Sequence, residues 1–309
     1  MSYMPYFQKA EDSALPKTQQ KRPSLWRPYL SMMKPTISAL VLFTTIPGIL
    51  LSDRQPSLIM FLATCLGTLL AAGSAGIFNH LVDAKIDQLM IRTKLRPLPA
   101  GTVSRKIAIF IGSIGAVTGF ITLYIFASPL AAWIALSANA FYVLGYSLYL
   151  KPRTPQNIVI GGAAGAVGPL IGLAAVQQTI DLTGFLLFLI IFLWTPPHFW
   201  ALALKYKKDY AKANIPMFPV VYGDNKTRLW ILIYSLTLLP VVSTVYVLNP
   251  SLIAFSITSI PATCYFIWLA FELYREKSNS KAMSLFYYSC IYLFIVFTGM
   301  TIDRIIYFF

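Results

Sequence analysis

The chain has 309 residues, of which 57% are hydrophobic and 12% charged, and its formal net charge is +14. Soluble domains contain about 45–50% apolar residues, so the composition excludes an ordinary soluble domain and indicates a polytopic membrane protein. A positive charge of this size could suggest nucleic acid or anionic lipid as a partner. The basic residues are distributed among membrane loops, however, so we expect no nucleic-acid partner.

Apolar runs of about 20 residues are long enough to cross a bilayer as helices. The sequence contains nine such runs, at 36–52, 57–80, 105–126, 130–149, 157–176, 183–204, 228–248, 251–271 and 284–306. The predicted fold class is therefore all-α, an integral membrane protein with nine transmembrane helices. We expect residues 1–35 to form a cytoplasmic tail and residues 36–309 to form a single polytopic domain.

The basic residues predict the orientation of the chain. All of them except Arg54 and Arg304 lie in the N-terminal tail or in loops on the same side of the membrane. The positive-inside rule then places the N-terminus in the cytoplasm and the C-terminus outside, which requires an odd number of spans. The first 30 residues contain no cleavable signal peptide, and the tail is not typical of a mitochondrial transit peptide. We therefore expect a multi-pass protein of a bacterial cytoplasmic (inner) membrane.

Asn79, Asp83 and Asp87 recur every fourth residue after the second apolar run. An α-helix turns about 100° and rises about 1.5 Å per residue, so the three side chains share one stripe. Carboxylates at the end of a membrane helix are costly without a positive partner, and such residues usually mark an ion or substrate path. Oxygen ligands of this kind suit Mg²⁺, which is usually shared between carboxylates and substrate phosphates.

Basic residues follow the stripe closely. Arg92, Lys94 and Arg96 come next in the first long inner loop, and Lys151 and Arg153 lie at the inner end of the fourth span. These cations can neutralise the charge of a phosphate ligand, so the two groups together predict a metal diphosphate site. A basic loop is often only a solvated loop, but that alternative does not explain the acids.

The second long inner loop carries Lys205 and Asp209, which a continuous helix would place on one face. Taken alone, this spacing favours a simple salt bridge between residues four apart. Its similarity to the acidic and basic residues of the first loop favours a contribution to the same site instead.

His198 follows Pro196 and Pro197 in the sixth span, where consecutive prolines are expected to kink or break the helix. The spacing favours a buried histidine that is hydrogen-bonded to a freed backbone carbonyl, and a contact to a bound cofactor is the alternative. In the fifth span, five glycines between residues 161 and 172 favour close helix packing. Space for a large flat ligand remains the other interpretation of these glycines.

Four longer segments resemble those of a known family in the same order. They are residues 79–97, 146–157, 195–203 and 205–221, and the resemblance covers nearly all of the predicted spans. The chain resembles the UbiA-type intramembrane prenyltransferases, and within them the branch that uses haem as the acceptor. The resemblance implies a nine-helix bundle around a central cavity, binding of farnesyl diphosphate with Mg²⁺ as the cofactor, and transfer of the farnesyl group to a vinyl group of haem b.

The resemblance also implies roles for individual residues. The implied metal ligands are Asn79, Asp83, Asp87 and Asp209; the implied diphosphate contacts are Arg92, Lys94, Arg96, Lys151, Arg153 and Lys205; Asp83, Asp87, Asp209 and Lys205 are implied in catalysis, and His198 in haem binding. In the wider family the second loop carries two acids four residues apart. Because Lys205 occupies the earlier position here, we expect a direct lysine contact to the diphosphate rather than a complete second metal site.

The expected partners are the lipid bilayer, farnesyl diphosphate and haem b, and a downstream haem-modifying enzyme or terminal oxidase is a candidate protein partner. The nearest alternative is a prenyltransferase of the same fold that acts on an aromatic or quinone precursor. The segment around His198 and the single acid of the second loop argue against it. The alternative from another class is a transporter for an anionic lipid. Transporter sites usually lie near mid-membrane, whereas these ionisable residues gather at one face.

Overall fold

The computed structural model describes residues 26–52 and 54–308, and every regular element within them is helical. In chain order the α-helices are α1 (Arg27–Met32), α2 (Pro35–Leu51), α3 (Leu58–Asp87), α4 (Arg105–Phe126), α5 (Pro129–Ala140), α6 (Asn157–Gly165), α7 (Gly168–Gln177), α8 (Leu182–Lys205), α9 (Lys207–Lys212), α10 (Phe218–Leu248), α11 (Ile253–Glu276) and α12 (Asn279–Phe308). A π-helix, Phe141–Leu150, continues α5 directly. The predicted all-α class is confirmed for the described residues.

Eight helical units of the described chain are long and apolar enough to cross a membrane, judged by length and composition alone. They are α3, α4, α5 with the π-helix, α6 with α7, α8, α10, α11 and α12. The predicted first span corresponds to α2, which is apolar but has only 17 residues. Most of the predicted N-terminal tail, residues 1–25, lies outside the described residues, and α1 forms from its final part.

Prolines act differently in the fifth and sixth spans. The fifth is two helices, because the ring of Pro169 at the start of α7 would clash with the carbonyl of residue 165 in a continuous helix. The sixth is one helix, α8, through Pro196 and Pro197. Of the predicted kink or break, the break is therefore wrong: a proline φ of about −65° is compatible with a helix, and residues 194–197 are all buried in the bundle, which holds them in place.

Neighbouring helices pack in pairs that close into a bundle. The α3 helix packs on α4, α2 on α7, α8 on α10 and α11 on α12, while α12 also contacts α2 and so joins the two ends of the chain. Buried apolar residues of α8, α10, α11 and α12 form the largest core cluster. A smaller cluster joins Met90 of the first inner loop to Tyr210, Ile215 and Met217 of the second. The two long inner loops are therefore packed together.

The α2 and α7 helices approach each other at Gly172. A Cβ atom at this position would lie 2.2 Å from the carbonyl oxygen of Thr45 and 2.6 Å from the backbone nitrogen of Ile49. Close helix packing, the preferred interpretation of the fifth span, is confirmed at this position. Gly165, at the end of α6, differs because a Cβ atom there would have nothing within 4 Å.

We expect Gly172→Ala to lower the melting temperature of the purified protein, because the added methyl group must push α7 away from α2. Overpacking of this kind costs about 1–3 kcal/mol. Gly165→Ala is the matched control and should leave the melting temperature unchanged or slightly raised, since the position is open. Thermal scans in one detergent would compare the two variants, and equal melting temperatures would contradict the packing argument.

The end of α12 binds the ends of two other helices. Arg304 donates from Nε to the carbonyl of Leu50 at 2.7 Å and from a terminal nitrogen to the carbonyl of Ser52 at 2.9 Å. Asp303 accepts two backbone N–H groups at the start of α11, at 2.8 and 2.7 Å. Helix ends leave such backbone groups unsatisfied, so this pair of residues caps the end of α2 and the start of α11 together.

Candidate active site

The polar stripe lies on one helix, as the spacing predicts. Asn79, Asp83 and Asp87 all belong to α3 and are only 2%, 1% and 1% exposed. The side-chain amide of Asn79 donates to Asp83 Oδ2 at 3.0 Å, which links the first two members directly. The helix extends beyond the apolar run that ends at residue 80, to Asp87.

Cations pair with both acids of the stripe. Lys151 Nζ lies 2.6 Å from Asp83 Oδ2, and Arg96 donates to both oxygens of Asp87 at 3.0 and 2.8 Å. Both contacts of Arg96 come from one nitrogen, Nη1, and hydrogen bonds between charged groups are stronger than those between neutral groups. Two of the predicted cations are therefore brought directly to the predicted acids.

Lys34 is a site residue that the sequence analysis missed. Its ammonium donates to Asn79 Oδ1 and, at 3.1 Å, to the hydroxyl of Tyr142. Its backbone, just before α2, adopts the left-handed conformation with φ 50° and ψ 61°. Burial, followed by the nearby charge of Arg96, lowers the pKa of Lys34 from 10.5 to about 8. A lysine beside an apolar run is usually an interfacial anchor, so its position alone gives only a weak signal.

The π-helix brings a further polar side chain, Ser147, to the stripe. The hydroxyl of Ser147 donates to the carbonyl of Tyr142 at 2.9 Å and accepts the amide of Asn79 at 2.8 Å. In an α-helix Tyr142 and Lys151 would lie about 180° apart around the axis. The wider π winding, with its hydrogen bonds between residues five apart, brings both to the same side.

One carboxylate oxygen in the stripe is unpaired. Asp83 Oδ1 is buried and has no hydrogen-bond partner among the described residues. A buried polar atom without a partner is costly, so this oxygen is a free ligand position. The described residues contain no group of three or more His, Cys, Asp or Glu that could hold a metal. Two carboxylates and an amide oxygen nevertheless fit Mg²⁺, which retains waters and shares its coordination with substrate phosphates.

The second inner loop meets the first at Arg92. Its guanidinium donates to the hydroxyl of Tyr210 at 3.4 Å and lies 5.6 Å from the centre of the Tyr206 ring. Burial raises the pKa of Tyr210, so its hydroxyl stays protonated over a wider pH range. The contact places the start of α9 close to the basic part of the first loop.

Lys205 and Asp209 do not share a helical face. Tyr206, with φ −99° and ψ 20°, separates the end of α8 from the start of α9. The expected common face is therefore wrong, and no ion pair joins the two residues in the described structure. Asp209 is 9% exposed, and its carboxylate has no partner among the described side chains. Lys205 is exposed, with its ammonium 5.6 Å from the centre of the Tyr206 ring.

Two other predicted cations are not brought to the stripe. Arg153 turns back on the end of the π-helix, where it donates to two carbonyls at 3.0 and 3.1 Å and lies over the ring of Tyr149. Lys94 is exposed and has no polar partner among residues 26–52 and 54–308. Their contact with diphosphate remains a prediction that this arrangement does not support directly.

His198 is held by a hydroxyl rather than by the backbone carbonyl that the sequence favours. Its Nδ1 lies 2.6 Å from Ser289 Oγ, and that hydroxyl donates its own proton to the carbonyl of Phe286. The hydroxyl must therefore accept from His198, which places the imidazole proton on Nδ1 and leaves a lone pair on Nε2. The ring stacks between Trp194 and Phe286, at centroid distances of 4.3 and 4.7 Å. In the described structure Nε2 has no hydrogen-bond partner.

An apolar groove of about 370 Å³ opens on the side of the bundle between α5, the π-helix, α6 and α8, with Val167 from the turn after α6. Trp133, one of its lining residues, is 55% exposed, so the groove faces outward. None of the predicted site residues lines this groove. The central cavity implied by the resemblance therefore remains a prediction.

Comparisons with known proteins show the family of the chain. The UbiA prenyltransferase family matches residues 41–297. A protoheme IX farnesyltransferase of Nitrosococcus oceani is 42% identical, covering 90% of this chain and 94% of its own length. Another from Shewanella oneidensis is 41% identical, covering 94% of this chain and 98% of its own length.

Two solved structures have the same fold. A structure of digeranylgeranylglyceryl phosphate synthase superposes with a TM-score of 0.76 at 20% identity, covering 91% of this chain and 99% of that one. A UbiA homolog from Archaeoglobus fulgidus, bound to GPP and Mg²⁺, gives a TM-score of 0.67 at 16% identity, covering 88% and 99%. At these identities the likeness shows the fold alone.

Proposed function

The chain belongs to the UbiA prenyltransferase family, and on this basis we propose that it transfers the farnesyl group of farnesyl diphosphate to a vinyl group of haem b, giving haem O. Relatives named protoheme IX farnesyltransferase are 41–42% identical over at least 90% of the chain. The structural observation that carries the proposal is the buried stripe of α3, whose acids are paired with cations while Asp83 Oδ1 stays unpaired.

Asn79, Asp83 and Asp87 would hold Mg²⁺, and Asp209 would approach from the second loop as an additional ligand. Mg²⁺ bound there would supply Lewis-acid stabilisation of the departing diphosphate. The cofactor assignment is supported by the Archaeoglobus fulgidus homolog, which is described as bound to GPP and Mg²⁺. The proposed diphosphate contacts are Arg92, Lys94, Arg96, Lys151, Arg153 and Lys205.

The cations act on the leaving group. Arg96 and Lys151 lie beside the acids of α3, so they place positive charge next to the position of the departing diphosphate. The allylic carbon–oxygen bond breaks and its electron pair leaves with the diphosphate. The haem vinyl group then attacks the allylic carbocation and forms the new carbon–carbon bond. Water adds to the second cation, on the haem side, and releases a proton as the hydroxyl forms.

His198 is the proposed contact for the haem, through the lone pair on Nε2. An unprotonated imidazole nitrogen is the form that ligates iron, and Ser289 holds the ring in this tautomer. His198 lies seven residues before Lys205 on α8, which is about 10 Å further along the helix axis. The acceptor would therefore lie deeper in the bundle than the diphosphate.

The proposed topology includes α2 as a ninth span, with the N-terminus in the cytoplasm, the C-terminus outside and residues 36–309 as one domain. Although α2 is short, its end is capped by Arg304 of α12, as expected for a helix within the bundle. The concentration of basic residues in the inner loops supports this orientation and an inner-membrane location. A haem-modifying enzyme or terminal oxidase is a proposed partner because the product is a haem.

The function can be tested by extracting the haems from cells that lack any enzyme of this kind, with and without this protein. We expect a new, more hydrophobic haem only in cells that contain it, with a mass increase equal to a farnesyl group plus a hydroxyl group. An unchanged haem profile together with a prenylated aromatic or quinone precursor would show that the acceptor is that precursor and not haem b. No prenylated product of either kind would contradict the proposed function.

A further inference from the structure

We propose that Lys34 is a diphosphate-binding residue. When substrate and metal bind, its ammonium releases the side chain of Asn79 and donates to the diphosphate instead. This inference rests on the proposed function and adds a cation from a part of the chain outside both inner loops. Lys34 contacts the uncharged side chains of Asn79 and Tyr142, so its own charge has no direct counterion in the described structure.

The charges of the site do not balance without an anion. Asp83 and Asp87 are each paired with one cation, Lys151 and Arg96 respectively. Lys34 is the third cation, and its partners are an amide and a phenol. Removing a charge from water is costly unless an opposite charge compensates for it. A partly buried ammonium with uncharged partners is therefore suited to an anionic ligand, and a diphosphate is the anion that the neighbouring groups fit.

The backbone places Lys34 beside the stripe by close contact with α3. A Cβ atom at Gly76 would lie only 2.9 Å from the carbonyl oxygen of Met32 and 3.1 Å from that of Met33. The segment before Lys34 thus packs directly on α3, one turn before Asn79. Lys34 itself has a positive φ of 50°, a conformation that is costly for residues other than glycine and often found at ligand sites.

The same contacts imply an exchange of partners on binding. In the described structure Lys34 and Lys151 occupy oxygens of Asn79 and Asp83 that a metal would need. A metal alone must displace these cations, and a diphosphate alone must draw them away from the acids. When both bind, the oxygens of the stripe turn to the metal and the cations turn to the diphosphate. Each ligand should therefore raise the affinity of the other.

The test uses the full-length protein in detergent and measures calorimetric binding of farnesyl thiolodiphosphate, a poorly ionising analogue, in the presence of Mg²⁺. Lys34→Met should weaken binding about tenfold to a hundredfold, as expected for the loss of a charge-assisted hydrogen bond. Lys34→Arg keeps the charge and should bind the analogue within about threefold of wild type. Lys277→Met is the matched control, because Lys277 is also a lysine with positive φ, at 54°, but lies exposed between α11 and α12.

Equal analogue binding by wild type and Lys34→Met would overturn the role of Lys34 and leave the proposed function intact. Failure of the wild-type protein to bind the analogue would instead count against the proposed function. If Lys34→Met does not fold, Lys34→Arg decides: affinity within about threefold of wild type supports a charge contact, and a larger loss overturns it. Analogue affinity that stays constant across a Mg²⁺ titration of wild type would overturn the exchange.

Discussion

Asp83→Asn should reduce farnesyl transfer by at least about a thousandfold, which corresponds to about 4 kcal/mol of transition-state stabilisation. Asp83 joins Lys151 to Asn79 and carries the only unpaired carboxylate oxygen recorded among the buried atoms of the described residues. An asparagine keeps the shape of the side chain but removes its charge and one oxygen. Product formation from farnesyl diphosphate and haem b by the purified variant is the measurement.

Stability must be separated from chemistry in this experiment. Removing one partner of a buried ion pair costs about 3–5 kcal/mol, so the melting temperature should be recorded, and Asp83→Asn combined with Lys151→Met should restore part of any loss. Asp224→Asn is the control, because Asp224 pairs with Lys207 at 2.8 Å but is 38% exposed. It should retain normal turnover. Normal turnover by Asp83→Asn would refute the metal assignment.

His198→Ala should weaken haem binding by more than about tenfold, or about 1.4 kcal/mol, while leaving binding of the farnesyl diphosphate analogue unchanged. The reason is that the proposed haem ligand is Nε2 of this residue, whereas the nearest proposed diphosphate contact on α8, Lys205, lies about 10 Å further along the helix axis. Titration of haem, followed by the Soret band, and calorimetry of the analogue would measure the two affinities separately. Equal loss of both affinities, or of neither, would count against the assignment.

The Nδ1-protonated form of His198 can be tested with a second variant, at Ser289. Ser289→Ala removes the hydroxyl that receives the Nδ1 proton of His198, so the haem spectrum should lose part of its histidine-ligated character. Ser235→Ala is the matched control: Ser235 is also fully buried, and its hydroxyl bonds only to the carbonyl of Ile231. A Ser289→Ala spectrum identical to that of wild type would contradict the role of this serine.

The sequence could predict eight of the spans because lipid imposes long apolar runs on a membrane helix, while the ninth, at α2, stays a prediction. It could not predict the winding within them. The run at 130–149 has the same composition whether wound as an α-helix or, as here, partly as a π-helix. The break before Pro169 and the continuity through Pro196 likewise depend on neighbouring helices that hydropathy does not describe.

The site was predictable where its geometry is local. Asn79, Asp83 and Asp87 recur with the helical period, so their common face follows from spacing alone. Lys34 and Ser147 reach Asn79 from positions 45 and 68 residues away, and no local pattern marks such contacts. The predicted common face of Lys205 and Asp209 is wrong because a single non-helical residue, Tyr206, changes the direction of the chain between them.

The hydrogen bonds from Arg304 to the end of α2 have a consequence for the synthesis of the chain. The carbonyls of Leu50 and Ser52 receive their hydrogen bonds from a residue more than 250 positions later. During synthesis, therefore, α2 is made long before the ribosome has produced the side chain that completes its end. A chain cut before residue 304 should therefore leave these carbonyls at the end of α2 without their hydrogen bonds, and its melting temperature should fall.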